Sequence, residues 1–498
     1  MHLDTDVAII GGGVAGNSIA RELSRYKIDT ILIEKNAEVD FGVTKSTHSF
    51  IHAGLPEPGT PLLNKLVLEG NAMFDLLTSE LDVPFMRIGK LLVVTNKNEV
   101  GILEKKKDEA DAAGVPGVRI INSKELREME PNLTREAVAA LFTPTTGLVS
   151  PWELVIALSE NAMENKVEFM LDAKVTGISV PRDNIFVIET TRGAVTSKFL
   201  INAAGLFADD IAKMVGENNF SMVPLKQERS ILDERITNLV NHLVRSPITG
   251  DFVSPTKKEL GAKKSNFIIG YTSEKIEDKN DVSTSREGFQ RTFNFAKRMF
   301  PTFSPKDVII SFAGLVPLNT RTNDYIIEAS KKVPGFINVV LGGSGVGASP
   351  AMAKLVVKIL ANCGLGLVPK KEFNPCRKGI PNFRELQNDQ KEALIARDPR
   401  YAHTVCRCET VTEGEIVEAI RRGARTVDGI KFRTKAGMGR CQGGFCSPRV
   451  TQILARELGV PATEITKRGG NSRLLLFKSK EKLKNRGEGE NQNEISRG

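Results

Sequence analysis

The chain has 498 residues, too many for a single hydrophobic core, and this length predicts about two to four domains. A composition that is 41% hydrophobic and 26% charged is that of an ordinary globular protein and excludes a fibre or a mostly disordered chain. The net charge is +9, but no helix-turn-helix, RNA-recognition or zinc-finger pattern accompanies it. We therefore expect no nucleic acid as a partner, and instead a small anionic substrate or an acidic docking surface.

The start of the chain bears on the location of the protein. MHLDTDVAII lacks the basic flank and cleavage site of a signal peptide. The apolar segment 336–368 is interrupted by glycines, lysines and Pro350, which favours a buried loop and helix over a membrane span. We expect a cytoplasmic protein, with peripheral association at the inner face of the membrane left open. Six cysteines without a secretory signal favour metal or redox chemistry over disulfides.

A dinucleotide-binding turn is predicted near the first residue. The apolar run Val7–Ile10 precedes GGGVAG, in which Gly11, Gly13 and Gly16 satisfy the G-x-G-x-x-G pattern. These glycines allow the tight turn, the approach of the backbone to a pyrophosphate, and close packing of helix on strand. Glu34 ends the next apolar run, 18 residues past Gly16, where a carboxylate reaches a ribose 2′-hydroxyl. This acid disfavours NADP, and the motif by itself leaves FAD and NAD open.

Three later stretches resemble the FAD-dependent amino- and hydroxy-acid oxidoreductases of the D-amino-acid-oxidase type. They are GVTKSTHSFIHAGL at 42–55, FLINAAGLFADD at 199–210 and NVVLGGSGVGASPA at 338–351, in the order of that family. The resemblance covers about residues 3–365 and implies FAD, because the last glycine turn lies against the flavin ring in that family. The FAD contacts that it implies are Gly11, Gly13, Val14, Ala15, Gly16, Glu34, Lys35, Thr44, Thr47, Val175, Ala204, Gly205, Gly343, Gly345, Val346, Gly347 and Ala348.

A catalytic base is predicted in the stretch FIHAGL. His52 in this stretch matches the histidine–glycine segment that reaches flavin and substrate in flavin-dependent glycerol-3-phosphate and 2-hydroxyglutarate dehydrogenases. An imidazole that titrates near neutral pH is suited to removing a hydroxyl proton as hydride leaves carbon. The alternative is a structural histidine that only packs against the flavin.

An anionic substrate also needs fixed cations, preferably arginine. The resembling dehydrogenases carry one arginine in an AGLRP-like stretch, where this chain has Val316. Arg321, five residues later, is the candidate to replace it, and the basic residue that follows a Val-Pro pair in those enzymes corresponds to Lys226, with Arg229 close by. Ordinary surface charge is the alternative for these residues. The valine leaves the identity of the substrate open, not the flavin chemistry.

Four cysteines near the C-terminus come as two close pairs. Cys406 and Cys408 are followed, after 32 intervening residues, by Cys441 and Cys446. Four thiolates in this arrangement can surround one metal centre and favour zinc or iron–sulfur. CRCETVTEGEI and GMGRCQGGFC resemble the bacterioferritin-associated-ferredoxin-like [2Fe–2S] domain, over about residues 400–465. A structural zinc site is the alternative.

The predicted fold is of the α/β and α+β classes. A discontinuous Rossmann-like FAD-binding domain (1–80, 140–220 and 325–370) accompanies a mixed-sheet substrate domain (81–139 and 221–324). A linker over 371–399 leads to a small helical [2Fe–2S] domain at 400–466 and a basic, partly disordered tail at 467–498, with disorder expected at 487–498. Local patterns predict helices at 61–77 and 98–113, a helix capped by Ser150, a helix capped by Thr412 and Glu415, and strands at 266–271 and 308–312.

The chain as a whole resembles FAD-dependent glycerol-3-phosphate dehydrogenases of the anaerobic large-subunit type. The resemblance implies oxidation of sn-glycerol 3-phosphate to dihydroxyacetone phosphate, with electrons passing through the cluster to an acceptor protein, partner subunits or quinone. A cluster also favours a dehydrogenase over an oxidase, because it offers single-electron steps out of a flavin reduced by two electrons. The alternatives are an L-2-hydroxyglutarate or related 2-hydroxy- or amino-acid dehydrogenase, and a non-catalytic electron-transfer subunit.

Overall fold

The computed structural model describes residues 2–48, 50–181, 185–236, 239–256 and 266–479. The chain divides into two compact units, Met1–Lys35 with Val39–Gly379, and Asn36–Glu38 with Ile380–Gly498. The division after Gly379 falls within the segment predicted as a linker, and the boundaries of the domains inside the first unit stay predictions. The disorder expected at 487–498 lies outside the described residues.

The first unit contains the predicted Rossmann-like sheet. Its strands are β1 (His2–Ile10), β2 (Thr30–Ile33), β9 (Glu168–Met170), β10 (Val175–Ser179), β11 (Phe186–Thr190), β12 (Gly193–Asn202), β19 (Ile326–Ala329) and β20 (Phe336–Val340). The parallel strands follow the spatial order β9-β2-β1-β12-β20, with β19 antiparallel to β20 and the β10–β11 hairpin beside the start of β12. Val7, Ala8 and Ile9 are completely buried, as expected for a parallel strand that is covered on both faces.

Helices cover both faces of this sheet. They are α1 (Val14–Leu23), α2 (Pro61–Glu80), α5 (Pro151–Glu164), α6 (Ala208–Met214) and α8 (Gly345–Asn362). The apolar residues of α1, α2, α5 and α8 pack on one face and those of α6 on the other. The predicted helix at 61–77 is confirmed as α2. The predicted cap is also confirmed, because the Ser150 side chain accepts a hydrogen bond from the Glu153 backbone at the start of α5.

A second, mixed sheet belongs to the same unit. Its strands are β5 (Lys90–Val94), β6 (Arg119–Asn122), β7 (Ala139–Thr143), β13 (Met222–Leu232), β14 (Leu243–Arg245), β15 (Phe252–Pro255), β16 (Phe267–Gly270), β17 (Glu274–Lys275) and β18 (Val308–Asn319). They follow the order β17-β13-β16-β15-β14-β5-β7-β6, and β18 forms a long antiparallel ribbon with β13. A small sheet joins β3 (Phe50–Ile51), β4 (Phe85–Arg87) and β8 (Gly147–Val149).

The helices that accompany the mixed sheet are α3 (Val100–Ala112), α4 (Ser123–Met129) and α7 (Arg286–Met299). The predicted helix at 98–113 is confirmed as α3, and the predicted strands at 266–271 and 308–312 are β16 and the start of β18. Phenylalanines of α7 pack against Leu232 and Phe267, so α7 covers one face of the β13–β16 part of the sheet. The other face is left for the site described below.

The second unit is small and helical, as predicted. It consists of α9 (Asn388–Arg397), β21 (Thr404–Cys406), β22 (Val411–Thr412), α10 (Glu413–Arg421), α11 (Val427–Thr434) and α12 (Ser447–Leu458). The predicted capping box is confirmed: the side chains of Thr412 and Glu415 each bond the backbone of the other at the start of α10. Its core joins Ile416, Ile430 and Leu454 of the last three helices. Across the described parts of both units, no helix is long and apolar enough to cross a membrane.

Candidate active site and cysteine centre

The glycine turn between β1 and α1 has the geometry that a bound pyrophosphate needs. Gly11 has a φ of +113°, and a Cβ there would lie 2.3 Å from the carbonyl oxygen of Ala203. A Cβ on Gly16 would lie 1.9 Å from the carbonyl oxygen of Gly11, so only glycine lets α1 approach the strand this closely. Glu34 points back to this turn, where its Oε2 accepts a hydrogen bond of 2.6 Å from the Gly12 backbone. The turn therefore fits the ADP half of a dinucleotide.

The other predicted cofactor contacts lie along the same edge of the sheet. The turns that contain Gly11, Ala204–Gly205 and Gly343–Ala348 follow β1, β12 and β20, and parallel strands present their carboxyl ends at one edge. Thr44 accepts a hydrogen bond of 3.3 Å from the Val14 backbone. Lys35 lies with its ammonium 3.4 Å from the centre of the Phe207 ring, and burial lowers its pKa. The individual FAD contacts, including Ala15, Thr47 and Val175, stay predictions.

His52 lies beside the glycine turn that begins α8. A Cβ on Gly347 would be 3.8 Å from the His52 backbone nitrogen, and the Asn71 side chain donates a hydrogen bond of 2.9 Å to the His52 carbonyl. The ring of a second histidine, His48, stands edge-on to that of His52 with 5.3 Å between the ring centres. Both rings are half-buried, and Phe50 stacks on His48.

Both imidazoles are neutral at pH 7. Removal from water, the neighbouring His52, and the positive charges of Arg229 and Arg245 hold the pKa of His48 well below its usual range. Burial, Lys90 and Arg245 do the same to the pKa of His52. A neutral imidazole can accept a proton, so His52 has the protonation state of a general base. The Nδ1 atom of His48 is buried and has no hydrogen-bond partner in the described part of the chain.

Arg229 and Arg245 supply positive charge to this pocket. Nη1 of Arg229 donates to the carbonyl oxygens of Ser46 at 3.2 Å and of Gln227 at 3.1 Å. Arg245 donates through Nη2 to the Tyr271 hydroxyl at 3.0 Å. The Tyr271 ring lies between the two guanidinium groups, with its centre 5.9 Å from Arg229 and 5.7 Å from Arg245. Both arginines thus lie near one aromatic ring, and the charges of both contribute to the lowered pKa of His48.

Lys90 adds a further buried amine near His52. It lies at the start of β5, and burial together with the charge of Arg245 lowers its pKa to about 7. The electrostatic potential around Lys90, Arg229 and Arg245 is positive. It therefore disfavours a further cation and favours the binding of an anion. Sequence reasoning missed Lys90, His48, Arg245 and Tyr271 as members of the site. His48 lies in the stretch 42–55, beside His52, and this proximity was a signal that could have found it. No motif marks Lys90, Arg245 and Tyr271, because they come from separate strands and loops of the mixed sheet.

The structure gives ion-pair partners to Lys226 and Arg321, two of the predicted substrate cations. Lys226 lies three residues from Arg229 on β13, so the two side chains point to opposite faces of the sheet. Its ammonium forms an ion pair of 2.8 Å with Asp281. Arg321 follows β18 and forms an ion pair of 2.6 Å with Glu328. The charge of Arg229, the third candidate, contributes to the lowered pKa of His48, whereas Lys226 and Arg321 are not among the charges that lower the pKa of either histidine, and their roles stay predictions.

In the folded second unit, the four cysteines form two close pairs across the two stretches, Cys408 with Cys441 and Cys406 with Cys446. The Sγ atoms of Cys408 and Cys441 are 3.7 Å apart. The thiol of Cys446 and the backbone N–H groups of Gly437 and Glu409 lower the pKa of Cys406 to about 5. Among the described residues, no group of three or more His, Cys, Asp or Glu side chains is arranged to hold a single metal ion. A pairwise arrangement of four thiols suits a cluster of two irons.

The loops around the cysteines require glycine. A Cβ on Gly439 would lie 2.3 Å from the Cβ of Cys408. Gly443, two residues after Cys441, has a φ of +88°, which side chains rarely tolerate. Cys406 and Cys446 are buried and Cys408 is exposed, so the centre lies close to the surface on the Cys408 side. Cys363 and Cys376, outside this unit, are exposed free thiols.

Comparison with known families identifies the class of protein. Residues 6–359 match the model of the FAD dependent oxidoreductase family, and residues 404–456 match the BFD-like [2Fe-2S] binding domain. The chain belongs to this family of FAD-dependent oxidoreductases and carries a [2Fe–2S] domain after it. The predicted fold class and the two predicted cofactors, FAD and a [2Fe–2S] cluster, are thereby confirmed; Cys406, Cys408, Cys441 and Cys446 are the predicted ligands of the cluster.

Individual relatives extend this result. A glycerol 3-phosphate dehydrogenase of Caloramator mitchellensis is 42% identical over 96% of this chain and 99% of its own. An anaerobic glycerol-3-phosphate dehydrogenase subunit A1 of Haloferax volcanii is 24% identical over 92% of this chain and 84% of its own. The solved L-alpha-glycerophosphate oxidase of Mycoplasma pneumoniae, with FAD bound, superposes with a TM-score of 0.70 at 26% identity and covers 75% of this chain and 98% of its own.

Proposed function

We propose that this protein oxidises sn-glycerol 3-phosphate to dihydroxyacetone phosphate and passes the electrons through its [2Fe–2S] cluster to an acceptor. The observation that carries the proposal is the positively charged pocket beside His52, in which a neutral base and fixed cations occur together. The relative that is 42% identical along nearly the whole chain supports the choice of substrate, because it is described as a glycerol 3-phosphate dehydrogenase.

The residues of the pocket have separate tasks in this reaction. The cations attract and hold the phosphate, so that the secondary hydroxyl of the substrate faces the base. His52 accepts the hydroxyl proton while the carbon gives up a hydride, so that one proton and one hydride leave the substrate. The hydrogen bond from Asn71 fixes the backbone of His52 during this transfer. FAD, when bound, supplies the hydride acceptor.

The cluster allows the final electron acceptor to bind away from the substrate pocket. A hydride delivers two electrons at once, and an iron–sulfur cluster passes them on singly. The acceptor that we propose is a partner subunit, an electron-transfer protein or a quinone. A partner subunit is supported by the relative of Haloferax volcanii, which is described as subunit A1. The location proposed is the cytoplasm, at the inner face of the membrane when a quinone is the acceptor.

Anaerobic titration of the purified holoprotein tests the proposal. Added sn-glycerol 3-phosphate should bleach the flavin absorbance and yield one dihydroxyacetone phosphate for every two electrons that the flavin and the cluster together take up. L-2-hydroxyglutarate serves as the comparison substrate, because it is also an anionic 2-hydroxy compound. Bleaching by L-2-hydroxyglutarate alone would contradict the choice of substrate. A flavin that dithionite reduces but no hydroxy compound reduces would instead indicate a non-catalytic electron-transfer subunit.

A further inference from the structure

Arg229 differs from the other buried arginines of the described chain. Its side chain is only 2% exposed, yet no carboxylate forms an ion pair with it among the described residues. Three other arginines are comparably buried, and each has a carboxylate within 2.7 Å. These pairs are Arg21 with Glu80 at 2.6 Å, Arg377 with Glu160 at 2.7 Å, and Arg433 with Glu38 at 2.7 Å. A buried charge without a counter-ion is costly, so Arg229 is the exception that needs an explanation.

The neighbours of Arg229 do not neutralise it. Its two Nη atoms donate to Ser46 and Gln227, and all of these acceptors are neutral oxygens. Its Nε atom is buried and has no partner in the described part of the chain. Burial lowers the pKa of Arg229 to about 10, and at neutral pH the side chain is still a cation.

A second unpartnered polar atom faces the same pocket. Nδ1 of His48 is buried without a partner among the described residues, and the charge of Arg229 contributes to the lowered pKa of His48. Arg245, on the other side of the Tyr271 ring, donates only to neutral oxygens, those of Gly250 and Tyr271. Buried polar groups in folded proteins are nearly always satisfied, so the unpartnered Nε of Arg229 and Nδ1 of His48, near to each other, indicate a polar ligand.

The packing around Arg229 keeps its side chain in place. A Cβ on Gly270, which pairs with Arg229 across β13 and β16, would lie 3.0 Å from the Cγ atom of Arg229. Val316 pairs with Leu225, four residues before Arg229 on β13, so it lies on the same face of the β13–β18 ribbon, but a valine carries no charge. The positive charge on this face of the ribbon therefore comes from Arg229.

We infer that Arg229, assisted by Arg245, binds the anionic group of the substrate and thereby determines specificity for an anionic alcohol. The inference rests on the proposed function only in naming that group a phosphate. The bound anion would be the counter-ion that Arg229 lacks, and Nε of Arg229 would be one of its donors. Arginine suits this task, because its guanidinium can donate two parallel hydrogen bonds to a phosphate or carboxylate.

The test compares Arg229→Gln with Lys226→Gln in the holoprotein. Both changes remove one positive charge from β13, but Lys226 lies on the opposite face. Removal of a charge-assisted hydrogen bond from Arg229 should raise the apparent Kd for sn-glycerol 3-phosphate about 10- to 100-fold in anaerobic flavin-reduction experiments. Lys226→Gln should leave this Kd unchanged. Glycerol has no anionic group, so Arg229→Gln should change the rate with glycerol much less than it weakens the binding of sn-glycerol 3-phosphate, and Lys226→Gln should change neither.

Stability separates a binding role from a structural one. Because Arg229 is an unpaired buried charge, Arg229→Gln should not lower the thermal midpoint of the substrate-free holoprotein, and the wild type should gain more thermal stability from added phosphate than the variant does. A lower midpoint combined with equal losses toward glycerol and glycerol 3-phosphate would indicate a structural role and overturn the inference. If Arg229→Gln does not fold, Arg229→Lys replaces it, and an unchanged Kd in Arg229→Lys would also overturn the inference.

Inorganic phosphate distinguishes failure of the inference from failure of the proposed function. Its binding is measured as a change in the flavin absorbance of the wild type and of Arg229→Gln. If glycerol 3-phosphate does not reduce the wild type but phosphate binds to it and not to Arg229→Gln, the choice of substrate is wrong and the anion site stands. If glycerol 3-phosphate reduces the wild type and Arg229→Gln with the same Kd, the proposed function stands and the inference is wrong.

Discussion

The cysteine centre and the substrate pocket are assembled from the sequence in opposite ways. The centre uses two short stretches, each with two cysteines a few residues apart, inside one small unit. The pocket uses side chains from separate strands and loops, including His52 after β3, Arg229 on β13 and Arg245 on β14. Ligands that lie close together in the chain, like the four cysteines, form a recognisable sequence motif. Pocket residues that a sheet brings together from distant positions do not.

The two sites also differ in how their polar groups are satisfied. Backbone N–H groups of Gly437 and Glu409 already point at the sulfur of Cys406. In the pocket, by contrast, buried polar atoms of Arg229 and His48 have no partner among the described residues. The cluster is a resident cofactor whose surroundings the chain supplies. The unpartnered atoms of the pocket are the observation from which we infer an anionic ligand there.

The largest effect that we predict is the loss of the cluster from the cysteine centre, with the reaction in the substrate pocket unchanged. Cys408→Ser should abolish nearly all cluster iron and acid-labile sulfide, because Cys408 and Cys441 form one of the two thiol pairs. A single turnover of the flavin with glycerol 3-phosphate should proceed at close to the wild-type rate. Turnover with the native one-electron acceptor should be lost. Metal analysis, sulfide analysis and stopped-flow absorbance measure the three quantities.

Cys363→Ser is the matched control for this variant. Cys363 is exposed and lies in the first unit, so its replacement should leave the iron and sulfide contents unchanged. Loss of the cluster in the control, or a wild type that holds zinc without acid-labile sulfide, would contradict the assignment of Cys408 as a ligand.

The next largest effect is slower reduction of the flavin by substrate, with the cysteine centre unchanged. His52→Gln should slow the reduction of the flavin by substrate about 10²- to 10⁴-fold, because it removes the group that accepts the hydroxyl proton. Reduction by dithionite should be unchanged, since dithionite needs no base. His403→Gln, which replaces an exposed histidine of the second unit, is the control. If His52→Gln kept the wild-type single-turnover rate, His52 would only pack against the flavin.

The contrast between the two sites explains how much of the molecule could be predicted from its sequence. The glycine turn, Glu34 and the cysteines are local patterns, and the sequence could predict the two cofactors from them because local geometry dictates such patterns. Lys226 and Arg229 were equal candidates, since the sequence does not show which face of β13 is covered by α7 and which faces His48. Only the packing of α7 against Leu232 and Phe267 decides that question.

A smaller predicted effect is weaker binding of FAD through its ADP half, which lies outside the substrate pocket. Glu34→Ala should raise the Kd for FAD about 10- to 100-fold, because it removes the predicted ribose contact and leaves the buried N–H of Gly12 without its acceptor. The cluster content should not change, since Glu34 belongs to the first unit. Fluorescence titration of the flavin-free protein gives the Kd, and Glu22→Ala in the same helix–strand region is the control. Equal Kd values for Glu34→Ala and the wild type would show that the acid has another role.

The smallest effect sharpens the description of the pocket through its pH dependence. Both His48 and His52 have a lowered pKa in the folded chain, chiefly because of burial. An unfolded histidine has a pKa of about 6.5, so above this pH both states are neutral and the histidines do not alter stability. Below it, the unfolded chain binds protons that the folded chain excludes, and stability falls as the pH decreases toward the folded pKa. Each histidine should contribute to this loss as the pH falls below about 6.5. Thermal unfolding of the flavin-containing unit, followed by the release of flavin fluorescence, measures the loss.

His48→Gln should make the decline of stability with falling pH shallower, whereas His403→Gln should not. A decline of equal slope in the wild type and His48→Gln would mean that His48 is protonated in the folded pocket, and its Nδ1 atom would then be a donor to the anion beside Arg229.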